Sequence, residues 1–362
     1  LREVLDIIDE MDFHNNSDLY QLSLIYEKLL KDMGSDGGNS GEFYTPRPLI
    51  KVITEVVNPK IGDKIYDPAV GSCGFLIEAY NHIRYENIET NKQRELSTEQ
   101  LRFLSEDTFF GNEKTPLSYV MGVMNMILHG VESPNISKTN TLTRDIRGLE
   151  EKDRYDCILA NPPFGGKEKE QIQQNFPIRS NATELLFLQH MMNSLKLQGR
   201  CGVVIPEGVL FQTNNAFQAV KKDLLERFNV HTILSLPSGV FLPYSGVKTN
   251  VIFFDRNGST SDIFYYEVNP SSKLTKNKPI NNGHFEEFLS VWQDRKITDN
   301  SWIVNINDIK DFDISAKNPN RNDTIEHKSP IELVENIKLN NAEINDLMDE
   351  IESILIGKDI NE

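Results

Sequence analysis

The sequence lacks long apolar runs and contains few cysteines. No stretch of 18 consecutive apolar residues occurs among its 362 residues, so no transmembrane helix is predicted. The three cysteines, Cys73, Cys157 and Cys201, are an odd number without metal-ligand spacing. This argues against a disulfide framework or a zinc site and is typical of a reduced, cytoplasmic protein. The chain starts at Leu1 without an initiator methionine or a signal peptide, and we expect it to be a fragment lacking an upstream segment.

The chain also lacks an excess of basic residues. It carries 54 acidic and 38 basic side chains, which gives a net charge of -16. A protein that binds nucleic acid tightly on its own usually has a basic surface, whereas this surface would repel phosphate over much of its area. Lys167, Lys169 and Arg179 are compatible with a local basic patch or with an ordinary solvated loop. Tight binding to nucleic acid would therefore require a partner.

The motif Asn161-Pro162-Pro163-Phe164 follows an apolar run over 155–160 that is predicted to be a buried parallel strand. Its prolines cannot join a strand ladder, so the motif should form a rigid loop at the strand end. The Asn161 amide and the Pro162 carbonyl group offer two acceptors beside the aromatic face of Phe164. That combination suits a planar molecule with an exocyclic amino group, such as adenine. A proline-rich turn without a binding role is the alternative.

A glycine-containing turn stands upstream, between a strand predicted over 64–66 and a helix predicted from Leu76. The turn reads Asp67-Pro68-Ala69-Val70-Gly71-Ser72-Cys73-Gly74. A strand, such a turn and a helix are typical of doubly wound α/β folds, which bind nucleoside cofactors at the strand C-termini. The spacing is not G-x-G-x-x-G and no Walker lysine follows, so a dinucleotide or ATP site is disfavoured.

Acidic residues end two of the predicted strands. Glu113 closes the strand predicted over 108–112 and is placed to accept both hydroxyl groups of a ribose, although alone it would be interpreted as a solvated carboxylate. Asp67 ends the preceding strand and suits a cationic or hydroxyl-bearing ligand. The order of these residues therefore predicts a nucleoside site.

Together, four motifs resemble the modification (M) subunit of type I restriction-modification systems. They are Gly41-Glu42-Phe43-Tyr44-Thr45-Pro46-Arg47, the run from Asp67 to Leu76, Gly111-Asn112-Glu113 and Asn161-Pro162-Pro163-Phe164. The resemblance runs from about Leu1 to the C-terminus and includes the segments 234–241 and 246–251. It implies a doubly wound, Rossmann-like sheet and an N6-adenine DNA methyltransferase that uses S-adenosylmethionine (SAM) and no metal. It also implies a DNA-specificity subunit, often a restriction subunit, and double-stranded DNA as partners.

The resemblance also assigns roles to individual residues. Thr45 and Pro46 are predicted as the N-cap and first-turn pair of a helix through Val57, whose amides would meet the methionine carboxylate of SAM. Asn140 stands where related enzymes often have Asp near the cofactor adenine. The predicted cofactor-binding residues are Glu42, Phe43, Tyr44, Thr45, Pro46, Arg47, Asp67, Ala69, Gly71, Ser72, Cys73, Gly74, Glu113 and Asn140. The predicted catalytic residues, which would hold N6 of a flipped adenine, are Asn161, Pro162, Pro163 and Phe164.

Four segments are predicted along the chain. Residues 1–41 are the end of an N-terminal helical domain, with Leu22 and Tyr26 on its 3.6-residue period, plus a glycine-rich linker. Residues 42–257 are the methyltransferase domain, with a charged surface insertion over 84–106. Residues 258–327 are an irregular extension, and residues 328–362 are a partner-docking helix. Trp292 and Trp302 are expected to anchor the extension.

The docking helix is predicted from a capping box and a heptad pattern. Ser329-Pro330-Ile331-Glu332 is the capping box, with Pro330 at the first helical position. A helix that packs on its own domain is the alternative. The heptad positions are Leu333, Ile337, Ile344, Leu347, Ile351 and Ile354, interrupted by Asn340.

Two other functions are compatible with these motifs. An Asn-Pro-Pro loop can also hold a side-chain amide, as in methylation of a protein glutamine at N5, but such enzymes usually have Tyr at the fourth position. A non-catalytic, SAM-binding assembly subunit is the other alternative. The presence of Asp67, Glu113, Asn161 and Phe164 disfavours it.

Overall fold

The computed structural model describes residues 45–89, 96–315 and 317–320, together with nine single helical positions. The predicted site residues Glu42, Phe43 and Tyr44, the linker before them and the capping box at 329–332 lie outside the described residues. The chain forms two compact units, Leu1–Asn318 and Pro319–Glu362. The nine positions are Leu22, Ser23, Tyr26, Lys338, Asn341, Ile344, Asn345, Leu347 and Met348.

These single positions agree with the helices predicted near both ends of the chain. Leu22 and Tyr26 are helical, and the Tyr26 hydroxyl group donates a hydrogen bond to the Met121 carbonyl oxygen at 3.1 Å. In the second unit, Ile344 and Leu347 are helical and are 52% and 54% exposed. The other heptad positions lie outside the described residues.

A nine-stranded sheet in the order β3-β2-β1-β4-β5-β7-β6-β8-β9 forms the centre of the first unit. Its strands arise from short apolar runs, as at 155–160, where the last four side chains are buried. The strands are β1 Ile65–Asp67, β2 Phe109–Glu113, β3 Asn135–Lys138, β4 Tyr155–Ala160, β5 Leu195–Pro206, β6 Asn229–Ser235, β7 Thr249–Asp255, β8 Asp262–Glu267 and β9 Ser301–Asn305.

Strand direction places the site at one edge of the sheet. Strands β3, β2, β1, β4 and β5 are parallel, and their order reverses between β1 and β4, where doubly wound sheets open a ligand crevice. Strand β7 is antiparallel to both β5 and β6. The connection from β6 to β7 therefore starts and ends at the edge that carries the carboxyl ends of the parallel strands.

Helices cover both faces of the sheet and divide its side chains between two apolar clusters. Leu49 and Leu76 belong to one cluster, whereas Met191 and Leu224 belong to the other. None of the helices among the described residues is long and apolar enough to cross a bilayer. The helices are α1 Arg47–Val57, α2 Gly74–Glu89, α3 Thr98–Glu106, α4 Pro116–Leu128, α5 Glu170–Gln173, α6 Thr183–Ser194, α7 Gly208–Phe211, α8 Asn215–Arg227 and α9 Glu286–Val291.

The segment 258–327 differs from the predicted irregular extension. Its described part contains β8, β9 and α9, and the two strands continue the sheet beyond β6. Trp302 is buried and its ring stacks on Tyr265, with 5.4 Å between ring centroids. Trp292 packs, partly buried, against the first apolar cluster. The prediction that both tryptophans anchor this segment is therefore confirmed, whereas its irregularity is wrong.

Candidate active site

A cavity of about 770 Å³ lies at the carboxyl ends of the parallel strands. Most predicted site residues in the described part of the chain line it. Pro46, Arg47 and Cys73 are not among the lining residues; Arg47 Nη1 instead donates to the Gly74 carbonyl oxygen at 3.2 Å, and Cys73 is fully buried. The predicted residues that line the cavity are Thr45, Asp67, Ala69, Gly71, Ser72, Gly74, Glu113, Asn140, Asn161, Pro162, Pro163 and Phe164.

The loop that follows β1, residues 67–74, is tightly bent and closely packed; we call it the cofactor loop. Gly71 has a φ of 50° and Cys73 a φ of 61°, in the left-handed region that favours glycine. Asn125 Nδ2, from α4, donates to the Ser72 carbonyl oxygen at 2.8 Å. A Cβ atom built on Gly122 of the same helix would lie 2.7 Å from the Gly71 carbonyl oxygen. Helix α4 therefore fixes the backbone of this loop.

Asp67 lies at the bottom of the cavity with 1% of its surface exposed. Its Oδ1 accepts a hydrogen bond from the Ala69 amide at 2.9 Å. Burial, with a smaller contribution from the charge of Glu113, raises the pKa of this carboxyl group to about 8 against the lowering effect of that hydrogen bond. Asp67 is thus suited to interact with a cationic ligand, which would favour its ionised form.

Glu113 ends β2 and connects the cofactor loop to α4. Its Oε2 accepts from the Gly71 amide at 3.1 Å, and its Oε1 accepts from the Thr115 amide at 2.7 Å. These two bonds fix the carboxylate in the cavity wall while each oxygen keeps a further lone pair. The group can therefore accept hydrogen bonds from ligand hydroxyl groups without rearranging.

Asn161 lines the cavity and carries an unsatisfied acceptor. Its Nδ2 donates to Thr45 Oγ1 at 3.0 Å, whereas its buried Oδ1 has no hydrogen-bond partner among the described residues. A buried polar atom without a partner costs about 1–3 kcal/mol, which a ligand donor would recover. Phe164 and Phe241 also line the cavity, and their rings pack edge to face with centroids 6.2 Å apart at 81°.

Thr45 has a different structural role from the predicted one. Helix α1 begins at Arg47, its N-cap residue is Pro46, and no side chain caps it; Pro48 takes the second helical position. The prediction of Thr45 as N-cap and Pro46 as first-turn residue is therefore wrong by one position. The Thr45 hydroxyl group instead orients the Asn161 amide.

Asn140 follows β3 and lines the cavity beside Thr139 and Thr141. Its Oδ1 accepts a hydrogen bond from the Leu142 amide at 3.1 Å and thereby caps a short 3-10 turn. This bond uses one lone pair of the oxygen, so a ligand could meet its second lone pair or the amide NH₂ group. A role in cofactor binding stays a prediction.

Several wall residues were not assigned from the sequence. Phe241 belongs to the segment 234–241, which contributed to the family resemblance, and that resemblance could have identified it. Thr183 and Glu184 begin α6, and Thr183 Oγ1 and Glu184 Oε2 are buried without a hydrogen-bond partner among the described residues. Their position in the cavity wall depends on the fold and could not be predicted from the sequence. The cavity is also lined by Pro206, Gly208, Gln212, Tyr244, Ser245 and Val247.

Comparison with known proteins agrees with this geometry. The N-6 DNA Methylase family matches residues 17–329. The chain is 35% identical over 370 residues to the EcoEI type I restriction enzyme methylase subunit of Escherichia coli, covering 98% of this chain and 73% of that protein. It is 32% identical over 305 residues to the EcoKI methylase subunit of E. coli K12, covering 79% of this chain and 56% of that protein.

A solved chain of a type I restriction-modification system has the same fold. It comes from a structure that describes complex assembly and conformational transition of that system. The TM-score is 0.82 at 44% sequence identity, and the match covers 98% of this chain and 74% of that chain.

The architecture is that of the SAM-dependent methyltransferases. The chain belongs to the N-6 DNA methylase family, and the resemblance to type I methylase subunits is confirmed. The enzyme class is adenine-specific DNA methyltransferase. The fold class and enzyme class predicted from the sequence are therefore confirmed, and methylation of protein glutamine is not favoured.

Proposed function

We propose that this chain transfers the methyl group of SAM to N6 of an adenine flipped out of double-stranded DNA, using Asn161, Pro162 and Phe164. The observation that carries the proposal is the unpartnered Asn161 Oδ1, which lies buried in the wall of the cavity. An acceptor in that position matches an exocyclic amino group. Such a donor lies inside the base pair in a duplex and becomes available only when the base is extruded.

The residues of the β1–β2 side fit SAM. Asp67 and Glu113 are carboxylates suited to the cationic and hydroxyl-bearing parts of that molecule, and the close packing of the cofactor loop leaves its backbone near the ligand space. Four acidic side chains and Lys114 line the cavity, so its charge favours a cation. Two of these acidic residues, Glu168 and Glu184, lie outside the β1–β2 side. The proposal requires no metal ion.

The chain's own groups prepare the nucleophile. Bound SAM supplies an electrophilic methyl group. Asn161 Oδ1 and the Pro162 carbonyl oxygen accept hydrogen bonds from the N6 amino group, which localises a lone pair otherwise delocalised into the base. The same acceptors stabilise the positive charge that develops on N6, while the rings of Phe164 and Phe241 hold the base plane. Catalysis thus depends on positioning and fixed dipoles.

Partners are part of the proposal. The net charge of -16 opposes tight binding of DNA by the chain alone. A DNA-specificity subunit would supply affinity and sequence choice, and a restriction subunit would complete the assembly in the cytoplasm. The exposed helical residues Ile344 and Leu347 of the second unit are suited to packing against a partner helix.

Methyl transfer from labelled SAM to DNA, by the chain with and without its co-encoded specificity subunit, tests the function. Asn161→Ala should lower the transfer rate about 100- to 1000-fold, the loss typical of one preorganised transition-state contact. Binding of SAM should survive. Asn257→Ala is the matched control, because Asn257 is exposed and follows β7 at the opposite edge of the sheet. Normal turnover of the Asn161→Ala complex would remove Asn161 from the mechanism.

A further inference from the structure

The cavity has two sides with different residues. The side formed by β1, β2 and the end of β3 carries Asp67, Glu113 and Asn140. The opposite side is formed by the end of β5, helix α7 and the loop from β6 to β7. Asn161 ends β4, which lies between them in the sheet. Since the cofactor occupies the first side in the proposed function, the target base must enter from the second.

Helix α7 presents an aromatic side chain at this second side. Gly208 and Gln212 line the cavity, and the Gln212 amide lies across Gly208, 3.0 Å from where a Cβ would stand. Phe211 follows Gly208 by three positions and therefore lies on the same side of this short helix, next to the cavity rather than among its lining residues. It is 50% exposed, whereas Val209 and Leu210 on the other face are buried. An exposed phenylalanine therefore stands at the base-entry side.

The backbone on both sides of Phe211 is held in place. Lys221, whose side chain is fully buried, donates to the carbonyl oxygens of Leu210 at 2.7 Å and Gln212 at 2.9 Å. The Ile314 amide also donates to the Leu210 carbonyl oxygen at 3.2 Å. These bonds fix the residues before and after Phe211. The ring is thus carried by a fixed backbone, which has little conformational entropy to lose on contact with a ligand.

Two further apolar side chains are exposed on the same side. Leu242 and Val247 belong to the loop from β6 to β7 and are 38% and 47% exposed, and Val247 lines the cavity. We call Phe211, Leu242 and Val247 the apolar rim. Base faces exposed by unstacking are an apolar, planar surface that such side chains contact well.

We propose that Phe211 inserts into the DNA base stack beside the target adenine and fills the space that the flipped base leaves, with Leu242 and Val247 in contact with the opened step. This rests on the proposed function, since it requires that an adenine enter the cavity. Flipping costs the unstacking and unpairing of one base, and an apolar wedge offsets that cost. Phe211 thus acts on the DNA and not on the methyl donor.

The first test measures base extrusion without methyl transfer. The complex of the chain with its specificity subunit is bound to a duplex that carries 2-aminopurine in place of the target adenine, whose position is read from DNA methylated by the wild-type complex. Unstacking raises the fluorescence of the probe. We expect the rise with Phe211→Ala to be at least about fivefold smaller than with wild type. Leu197→Ala, at a 69% exposed leucine at the start of β5, should behave as wild type.

The second test measures rescue by the substrate. Single-turnover methylation is compared on a matched duplex and on a duplex with an abasic site opposite the target adenine. Phe211→Ala should be about tenfold slower on the matched duplex and within about twofold of wild type on the abasic one, because that adenine is already unpaired. Phe211→Trp should retain most of the rate on both duplexes.

Three results would overturn the inference. One is a wild-type fluorescence rise with Phe211→Ala. Another is an equal loss of rate on both duplexes, which would show that Phe211 stabilises the cavity and does not act on the base stack. The third is loss of the specificity subunit from the Phe211→Ala complex in gel filtration, which would make Phe211 a protein contact. If the wild-type complex itself does not methylate adenine, the proposed function fails; if only Phe211→Ala is normal, that function stands and the wedge fails.

Discussion

The raised pKa of Asp67 predicts that SAM binding weakens in acid. Burial of Asp67 raises its pKa to about 8, so the free protein holds this carboxyl group largely protonated at neutral pH. A cationic ligand beside the carboxyl group lowers its pKa, since opposite charge favours the ionised form. Binding therefore releases a proton below pH 8. The direction is fixed: affinity rises as pH rises and levels off once Asp67 is ionised in the free protein.

The size of the effect follows from the same value. pH 6 lies about two units below the pKa of Asp67. Each unit adds about 1.36 kcal/mol to the free energy needed to ionise the carboxyl group. Binding should therefore be weaker by about 2.7 kcal/mol, or about 100-fold, at pH 6 than above pH 8. The α-amino group of SAM titrates near pH 7.7–8.0 in model compounds, roughly the same range. The test therefore requires a variant that removes the titration of Asp67 and leaves that of the SAM amino group.

Calorimetric titration of the wild type and of Asp67→Asn from pH 6 to pH 9 provides that comparison. The ligand's own titration affects both proteins equally, so the ratio of the two Kd values isolates Asp67. The ratio should change about 100-fold over this range. Titration in buffers of different ionisation enthalpy should show a larger proton release for the wild type. A constant ratio of Kd values would refute the reasoning, whatever the absolute affinity.

Three further predictions concern packing and partners. Gly122→Ala should raise the Kd for SAM and lower the thermal midpoint, because its Cβ would lie 2.7 Å from a carbonyl oxygen of the cofactor loop. Overpacking of this kind costs about 1–3 kcal/mol of stability. The control Gly148→Ala, which has open space around it, should have neither effect. Glu113→Gln should weaken SAM binding by about 1.5–3 kcal/mol, as expected for bonds to a charged group, and an unchanged calorimetric Kd would exclude the ribose role. Replacing Ile344 and Leu347 by Asp should separate the specificity subunit in gel filtration while SAM binding persists; continued co-elution would show that these residues do not form the interface.

The sequence predicted the fold and the meeting of Asp67 and Glu113 at one cavity, because both depend on local signals. Asp67 and Glu113 stand at the ends of strands, and a parallel sheet brings strand ends together without further information. The prolines after Asn161 ended β4 where they were expected to, because proline cannot continue the ladder. These features need only neighbouring residues, so the sequence pattern was sufficient.

Long-range contacts were beyond such reasoning. The bond between Asn161 and Thr45 joins residues 116 positions apart, and no local pattern reveals it. Lys221 reads as an ordinary helical surface lysine, yet it is fully buried because its ammonium group reaches two carbonyl oxygens. Strand β9 was missed because it is short and its side chains do not alternate cleanly between buried and exposed. Each of these depends on which distant segments meet.

The reversed direction of β7 has a consequence for how such enzymes diverge. Because β6 ends and β7 begins at the same edge, the connection over 236–248 does not have to cross the sheet, and the Leu236 amide already bonds the Thr249 carbonyl oxygen at its base. Residues can be inserted or lost between these two anchors without changing the register of any strand, and loop closure costs little for a few added residues. In the proposed function this loop faces the incoming base, and that wall of the cavity therefore tolerates changes in length. A single scaffold can therefore vary its contacts with the opened DNA in this loop, while Asp67 and Glu113, held at strand ends, keep their positions.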